Sequence, residues 1–202
     1  MALWLASEPL VLASRSAVRR TMLETAAVPV ELHPADLDER SLEAGLTSQA
    51  PAAVAAALAR EKAAFVARLR PGRLVLGADQ TLALDTQRFA KPVDRAAARV
   101  QLRALSGRTH ELHSAIAFVQ DATVLFEYVN TARLTMRRFS DRFLDLYLDT
   151  VGGAATASVG AYQIEGPGIQ LFERVDGDYF TILGLPLMAA LAFLRQRGCL
   201  LP

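Results

Sequence analysis

A short apolar run that leads directly into a capped, arginine-rich helix constrains this chain more than any other feature. Residues 10–13 have the length and composition of a buried strand, and Ser14 lies where a helix N-cap is expected. Residues 16–26 continue with the pattern of a helix. Backbone N–H groups at such a helix start bind anions well. We therefore expect an α/β strand–turn–helix unit with an anion site at its turn.

Apolar patterning predicts the remaining elements. Residues 51–70 predict a long helix with Pro51 in its first turn, and residues 73–78 predict a short buried strand that ends at Asp79. Residues 94–105 predict an amphipathic helix with Val100 and Leu102 facing inward. The rest is predicted as paired strands over 112–119 and 123–133, a helix over 140–150 capped by Ser140, a glycine-rich loop over 151–170 and a last helix over 185–198.

This alternation of strands and helices, with a longer hairpin in the middle, predicts an α/β or α+β domain with a mixed central sheet. The 202 residues are enough for one core, so we expect residues 1–202 to form a single domain. Ligands of such sheets bind at the carboxyl ends of strands. Ser14 and Asp79 are both expected at such ends and are therefore candidate site residues.

Composition excludes several classes of protein. Hydrophobic residues make up 52% and charged residues 21%, which is typical of a folded globule. A formal net charge of +1 argues against nucleic-acid binding. The sequence has no basic n-region of a signal peptide and no uncharged apolar run of about 20 residues, so no membrane association is expected. With Cys199 as the single cysteine, we expect a soluble, cytoplasmic protein.

Basic and acidic groups around the two strand ends suggest a phosphate site. Arg15, Arg19 and Arg20 can donate charge-assisted hydrogen bonds to phosphate oxygens, although an ordinary capped helix with a solvated basic face is the alternative. The acidic run that contains Glu39 can hold a divalent cation, or it is a solvated turn. Lys62 is either a surface residue of its helix or a phosphate ligand.

The order and spacing of these segments resemble the Maf family, the septum-formation-inhibitor-like nucleotide pyrophosphatases. The matching stretches are LASRSAVRR at 12–20, Asp38-Glu39, AREKA at 59–63, GADQTLALD at 77–85, KPVDRAAARVQLRALSGRTHELHSAIA at 91–117 and GAYQIEGPGIQLFERVDGDYFTILGLPL at 160–187. The resemblance implies a Maf/ITPase-like mixed sheet flanked by helices, with a cleft at the strand ends. It also implies hydrolysis of a nucleoside triphosphate to the monophosphate and pyrophosphate, with a divalent cation such as Mg²⁺ or Mn²⁺.

The resemblance also implies residue roles. Asp79 corresponds to the family's proton acceptor, and Lys62 and Lys91 join it as catalytic residues. Glu39 and Asp79 are expected to hold the metal ion. The substrate-binding residues are expected to be Ser14, Val18, Arg19, Arg20, Gln80 and Glu165.

Base preference divides the family, and three positions bear on it. Gln80 and Glu165 resemble the branch that acts on 7-methyl-GTP, whereas the branch acting on dTTP and UTP tends to have Thr and Gln there. Val18 departs from both branches, which often have tryptophan or arginine at this position, so it removes a stacking surface for a methylated purine. A 7-methyl-GTP pyrophosphatase is expected, and a dTTP/UTP pyrophosphatase is the alternative.

A second alternative is a nucleotide-binding regulator of cell division that senses nucleotides without hydrolysing them. A sensor can lose Asp79 and keep the arginines, whereas this chain has the complete polar set. The oligomeric state stays open, with a homodimer as one possibility.

Overall fold

Within residues 3–202, the computed structural model describes seven strands and seven α-helices. The strands are β1 (Leu10–Leu12), β2 (Val30–Leu32), β3 (Leu74–Leu84), β4 (Gln87–Phe89), β5 (Thr109–Gln120), β6 (Thr123–Met136) and β7 (Phe172–Asp176). The helices are α1 (Ala17–Thr25), α2 (Glu39–Ala44), α3 (Pro51–Leu69), α4 (Arg95–Leu105), α5 (Asp141–Val151), α6 (Tyr179–Ile182) and α7 (Leu187–Gln196). Three 3₁₀ turns lie between α5 and β7.

The strands form one mixed sheet in the order β2-β1-β3-β5-β6-β7, and β4 pairs with β3. β1 pairs in parallel with β2 and β3, with Val11 opposite both Glu31 and Val75. β4 pairs antiparallel with β3, and β7 pairs antiparallel with β6. This topology confirms the predicted α/β mixed sheet flanked by helices.

Contacts along the chain define two compact units. The first comprises the chain up to Gln80, together with His113–Asn130 and Asp178–Pro202. The second comprises Thr81–Leu112 and Thr131–Gly177. β3, β5 and β6 each begin in one unit and continue in the other.

Alternation along β1 and β3 divides the core of the first unit between two faces of the sheet. Leu12 and Leu76 belong to a cluster that includes residues of α1 and α7. Ala13 and Val75 belong to a cluster built from the alanine-rich face of α3. Since successive side chains of a strand point to opposite faces, the residue after Ala78 lies on the α3 side of the sheet.

The second unit has its own buried residues and a ladder of ion pairs. Arginines spaced four residues apart on α4 face aspartates spaced four apart on α5, in the pairs Arg95–Asp149, Arg99–Asp145 and Arg103–Asp141. Beneath them, residues such as Leu102 and Leu144 are buried. The ladder explains why α4 is amphipathic, with its arginines turned outward toward α5.

Most predicted elements are present, and three predictions were wrong. Asp79 does not end its strand but lies inside β3, because the apolar pattern resumes after Gln80 and the strand continues to Leu84. Val100 is 68% exposed, so only Leu102 of the two faces inward. The loop predicted over 151–170 contains the 3₁₀ turns Gly152–Thr156, Val159–Ala161 and Pro167–Leu171.

Several predicted boundaries also shift. Ser140 caps α5 as predicted, but Ser16 rather than Ser14 is the N-cap of α1, with its hydroxyl accepting from Arg19 N–H. The two long strands β5 and β6 extend beyond their predicted ends at 112 and 133. No helix within residues 3–202 has both the length and the apolar character needed to cross a bilayer.

Candidate active site

The close approach of α3 to β3 determines where the Asp79 side chain lies. A Cβ at Gly77 would lie 2.0 Å from the Ala59 carbonyl oxygen and 2.7 Å from the Ala63 nitrogen, so only glycine allows this packing. Asp79 is two residues further along β3 and therefore points to the same face of the sheet. The glycine thus allows a side chain of α3 to reach Asp79.

That side chain is Lys62. Its Nζ donates to Asp79 Oδ1 at 2.6 Å and also lies 2.9 Å from Glu39 Oε1, the first residue of α2. The side chains of Lys62 and Asp79 are only 11% and 12% exposed, whereas Glu39 is 46% exposed. One ammonium group therefore holds two carboxylates together, one of them buried.

Burial determines the protonation chemistry of Asp79. Desolvation raises the pKa of this carboxyl, while the charges of Lys62 and Arg19 and the hydrogen bond from Lys62 oppose the rise. A raised pKa makes an ionised carboxylate a better proton acceptor. The site therefore contains a buried carboxylate whose ionisation is opposed by desolvation and favoured by two neighbouring cations.

Arg19, on α1, is held by hydrogen bonds to residues from three parts of the chain. Its Nε donates to the Gly184 carbonyl at 2.7 Å, and its Nη1 donates to Ala78 O at 2.8 Å and to Ser14 Oγ at 3.1 Å. Burial lowers the pKa of Arg19, and the charges of Asp79 and Glu39 counteract this effect. These bonds use Nε and Nη1, which leaves Nη2 to interact with a ligand.

Five of the predicted site residues belong to the first unit and are here called the Asp79 cluster: Ser14, Arg19, Glu39, Lys62 and Asp79. Lys62 contacts Asp79 and Glu39, while Arg19 contacts Ser14 and the carbonyl of Ala78, the residue before Asp79. Gln80 is next to them, but its amide binds protein atoms. Val18 packs against the apolar cluster of the same unit.

Three other predicted residues, Arg20, Lys91 and Glu165, are not part of these contacts. Arg20 is exposed and pairs with Glu24 one helical turn away, at 2.7 Å. Lys91 and Glu165 belong to the second unit, and both are exposed. Within residues 3–202, no contact therefore joins these three side chains to the Asp79 cluster, and none indicates another role for them.

Sequence reasoning missed the part of the site contributed by residues 181–184. The carbonyls of Thr181, Ile182 and Gly184 accept hydrogen bonds from Gln80 or Arg19, and Ser114 Oγ joins the same network. Carbonyl acceptors carry no signature in the sequence. The available signals were the family-like stretch 160–187 and its Gly184, whose φ of +93° is usually adopted by glycine.

Comparison with known proteins identifies the family of this chain. Residues 9–197 match the protein family described as Maf-like protein. The chain belongs to the Maf family. In this Maf protein, the matched range includes every residue of the Asp79 cluster.

Similar proteins align with nearly the whole chain. A protein of Rhodopseudomonas palustris named nucleoside triphosphate pyrophosphatase is 56% identical over 200 residues, which cover 99% of both chains. A protein of Mesorhizobium japonicum named 7-methyl-GTP pyrophosphatase is 53% identical over 196 residues, 96% of this chain and 98% of the relative. A solved structure of a dITP/XTP pyrophosphatase from Mycobacterium abscessus aligns over 95% of both chains with 17% identity and a TM-score of 0.42.

Proposed function

We propose that this protein hydrolyses a nucleoside triphosphate to the nucleoside monophosphate and pyrophosphate. Relatives at 56% and 53% identity over nearly the whole chain carry names with this activity. The observation that carries the proposal is the contact of one lysine, with its side chain only 11% exposed, with two carboxylates, Asp79 and Glu39. This arrangement combines a proton acceptor with a cation that can bind phosphate.

In the proposed reaction, Asp79 accepts a proton from the attacking water. Lys62 already donates to Oδ1, so Oδ2 is the oxygen that receives the proton. The water oxygen forms a bond to the α-phosphorus, and the bond from that phosphorus to the oxygen bridging the α- and β-phosphates breaks. Pyrophosphate leaves with the electron pair of that bond. A positioned general base typically contributes about 10²–10⁴-fold to the rate.

Positive groups neutralise the phosphates in this proposal. Arg19 offers Nη2 from a fixed position, and Lys62 can move from the carboxylates to a phosphate oxygen. From the family resemblance, we propose that Arg20 and Lys91, both exposed, also help to neutralise the triphosphate. Ser14 Oγ holds Arg19 and so contributes to the same anion site.

Glu39 and Asp79 fit a divalent cation of the Mg²⁺ or Mn²⁺ type. Both are oxygen donors, which such ions prefer, and both lie within hydrogen-bond distance of the same Nζ, so they are close enough to share one ion. Two protein carboxylates suffice, because Mg²⁺ usually completes its shell with water and substrate phosphates. When bound, the cation would neutralise the negative charge that develops on the phosphate oxygens during the reaction.

We propose 7-methyl-GTP as the preferred class of substrate. Gln80 and Glu165 support this choice through the family resemblance, and a relative with that name is 53% identical. The pair dTTP and UTP is the alternative, because Val18 packs against the apolar cluster and offers no aromatic ring to a methylated purine.

The proposed setting is the cytoplasm, where nucleoside triphosphates are available and a lone Cys199 stays reduced. We propose that residues 1–202 act as one functional domain on a small nucleotide, with no nucleic-acid partner. A homodimer is compatible with this function, because the Asp79 cluster is built from one chain.

A pyrophosphate-release screen tests the proposal. Purified protein is incubated with 7-methyl-GTP, GTP, dTTP and UTP in the presence of Mg²⁺, Mn²⁺ or Co²⁺, with Asp79→Asn as the inactive control. Release of pyrophosphate and monophosphate in equal amounts, dependent on Asp79, is the expected result. Cleavage of dTTP and UTP with refusal of 7-methyl-GTP would reject the base assignment alone. Absence of hydrolysis of all four would reject the activity.

A further inference from the structure

A cavity of about 420 Å³ lies in the second unit, and its wall is rich in arginine. The end of α4, the turn before β5 and the connection from β6 to α5 form this wall. The charged residues that line it are Arg103, Arg108, Arg138 and Asp141. Three guanidinium groups and one carboxylate thus give the lining an excess of positive charge. The cavity shares no residue with the Asp79 cluster, which belongs to the first unit.

Arg138 is held against the wall of this cavity by a glycine. Gly107 has a φ of +69°, and a Cβ there would lie 2.8 Å from Arg138 Cγ and 3.2 Å from its Nε. The Arg138 side chain therefore lies across the backbone of Gly107 at a distance that only glycine allows. The Gly107 N–H donates to the carbonyl of Arg137, which joins the two segments. Packing, rather than an ion pair, sets the position of this guanidinium.

The arginines of the cavity are only weakly occupied by the protein. Within residues 3–202, no acceptor bonds the Arg138 guanidinium. Arg103 Nη2 lies 2.6 Å from Asp141, and Arg108 Nη2 lies 2.7 Å from Asp85, but both carboxylates are exposed. Exposed ion pairs contribute little to stability. A ligand with several negative charges can therefore bind Arg138 directly and compete with the two carboxylates for the other arginines.

A hydroxyl adds a further donor to the cavity. Ser106 Oγ, which lines it, accepts from the Phe139 N–H at 3.4 Å. In the part of the chain that the structure describes, no acceptor takes the proton of this hydroxyl. The cavity thus offers guanidinium and hydroxyl donors, the groups that bind phosphate oxygens in proteins.

We propose that this cavity binds a diphosphate group, either as free pyrophosphate or as part of a nucleoside diphosphate. A diphosphate carries more charge and more acceptor oxygens than a single phosphate, so it can contact all three guanidinium groups at once. The volume of the cavity is within the range of small-ligand sites, about 300–1,000 Å³. This inference concerns the second unit alone and does not rest on the proposed function.

An NMR titration of the intact protein tests the site. Pyrophosphate, ADP, inorganic phosphate and AMP are added separately to metal-free protein, and the Nε–H signals of Arg138 and Arg19 are followed with the Gly107 amide. Pyrophosphate should shift the Arg138 and Gly107 signals saturably, with a Kd below about 1 mM at low salt. Arg19 reports separately on the Asp79 cluster, so binding there is not mistaken for binding in the cavity.

Variants of Arg138 show whether its guanidinium binds the ligand. Arg138→Met should weaken pyrophosphate binding, followed at the Gly107 amide, by about tenfold or more, and should leave the response of Arg19 unchanged. Arg138→Lys keeps the charge but not the planar fork, so its Kd should be intermediate. Arg142→Met is the matched control, because Arg142 is also an exposed arginine but does not line the cavity. It should leave the Kd unchanged.

The outcomes separate the alternatives. Tighter binding of pyrophosphate or ADP than of phosphate or AMP, lost in Arg138→Met alone, is the expected result. A preference for ADP identifies a nucleotide as the source of the diphosphate, and a preference for pyrophosphate identifies the free anion. Equal affinity for phosphate and pyrophosphate overturns the diphosphate assignment. Absence of saturable shifts at Arg138 and Gly107, or an equal Kd in wild type and Arg138→Met, overturns the site. An equal loss in Arg142→Met would also overturn it, because general surface charge would then explain the binding.

Discussion

The ammonium of Lys62 lies 2.6 Å from a carboxylate oxygen of Asp79, and both side chains are almost fully removed from solvent. A buried ion pair of this kind does not stabilise a protein much, because desolvation offsets the attraction. It does, however, place a cation and a proton acceptor at contact distance. Binding of a highly charged ligand, rather than stability, therefore explains the presence of this ion pair.

Replacement of the proposed general base should abolish most turnover without unfolding the protein. Asp79→Asn retains the shape of the side chain and removes its ability to accept a proton, so kcat should fall about 10²–10⁴-fold. Pyrophosphate release and far-ultraviolet circular dichroism measure the two effects. Asp85→Asn, at an exposed aspartate in the turn after β3, is the control and should retain activity. Near-normal turnover by Asp79→Asn would contradict the assignment.

Removal of the Lys62 charge should increase the affinity for a divalent cation in the absence of nucleotide. Glu39 and Asp79 are balanced by Lys62 and Arg19, so an entering cation has to displace an ammonium that contacts both carboxylates. Lys62→Met leaves a net negative site, and Mn²⁺ should bind at least about tenfold tighter by calorimetry.

The control for this measurement is Arg60→Met, which removes a positive charge from the same helix. Arg60 pairs with Glu127 and not with the two site carboxylates. It should therefore leave Mn²⁺ binding unchanged. Equal Mn²⁺ affinity in wild type and Lys62→Met would mean that Lys62 does not compete with the cation.

Gly77→Ala should destabilise the first unit and reduce activity. The added methyl group would meet the Ala59 carbonyl at 2.0 Å, and backbone atoms on both sides have to move. We expect a loss of about 3 kcal/mol in the free energy of unfolding, measured by urea denaturation. Gly153→Ala, where a Cβ meets nothing within 4 Å, serves as control. Equal stability of the two variants would show that α3 does not pack on Gly77 this closely.

Stability should fall on mild acidification because of a histidine in the second unit. His110 is 1% exposed and bonds Tyr162 OH at 2.7 Å, and burial lowers its pKa from 6.5 to about 4. Below pH 6.5 the unfolded chain takes up a proton that the folded protein does not. The histidine's contribution is thus intact above pH 6.5 and is lost progressively as pH falls toward 4.

The loss should amount to about 2 kcal/mol between about pH 7 and pH 5. Urea denaturation of wild type and His110→Gln at the two pH values measures it. The variant has no ionisable ring and should lose less stability on acidification. His33→Gln is the control, since His33 is not buried. An equal pH dependence of wild type and His110→Gln would show that His110 takes up its proton in the folded state.

Local patterns in the sequence were enough for most of the elements. Pro51 and the apolar repeat of the alanine-rich segment predicted α3, and Ser140 and Asp94 were identified as residues at helix starts. These features depend on neighbours within a few residues, so the sequence alone predicts them. The sequence did not predict the end of β3, because polar Asp79 and Gln80 interrupt the apolar pattern. The strand nevertheless continues to Leu84, where it pairs with β4.

The sequence by itself determined which residue types are available: a serine and arginines at a helix start, an acid after an apolar run, and a lysine on an alanine-rich helix. The tertiary structure decided which of them meet. Lys62 reaches Asp79 because Gly77 lets α3 approach β3, and Arg19 is fixed by a carbonyl 165 residues away. Such contacts depend on backbone atoms and on packing distances between elements distant in the chain, which the order of side chains does not specify.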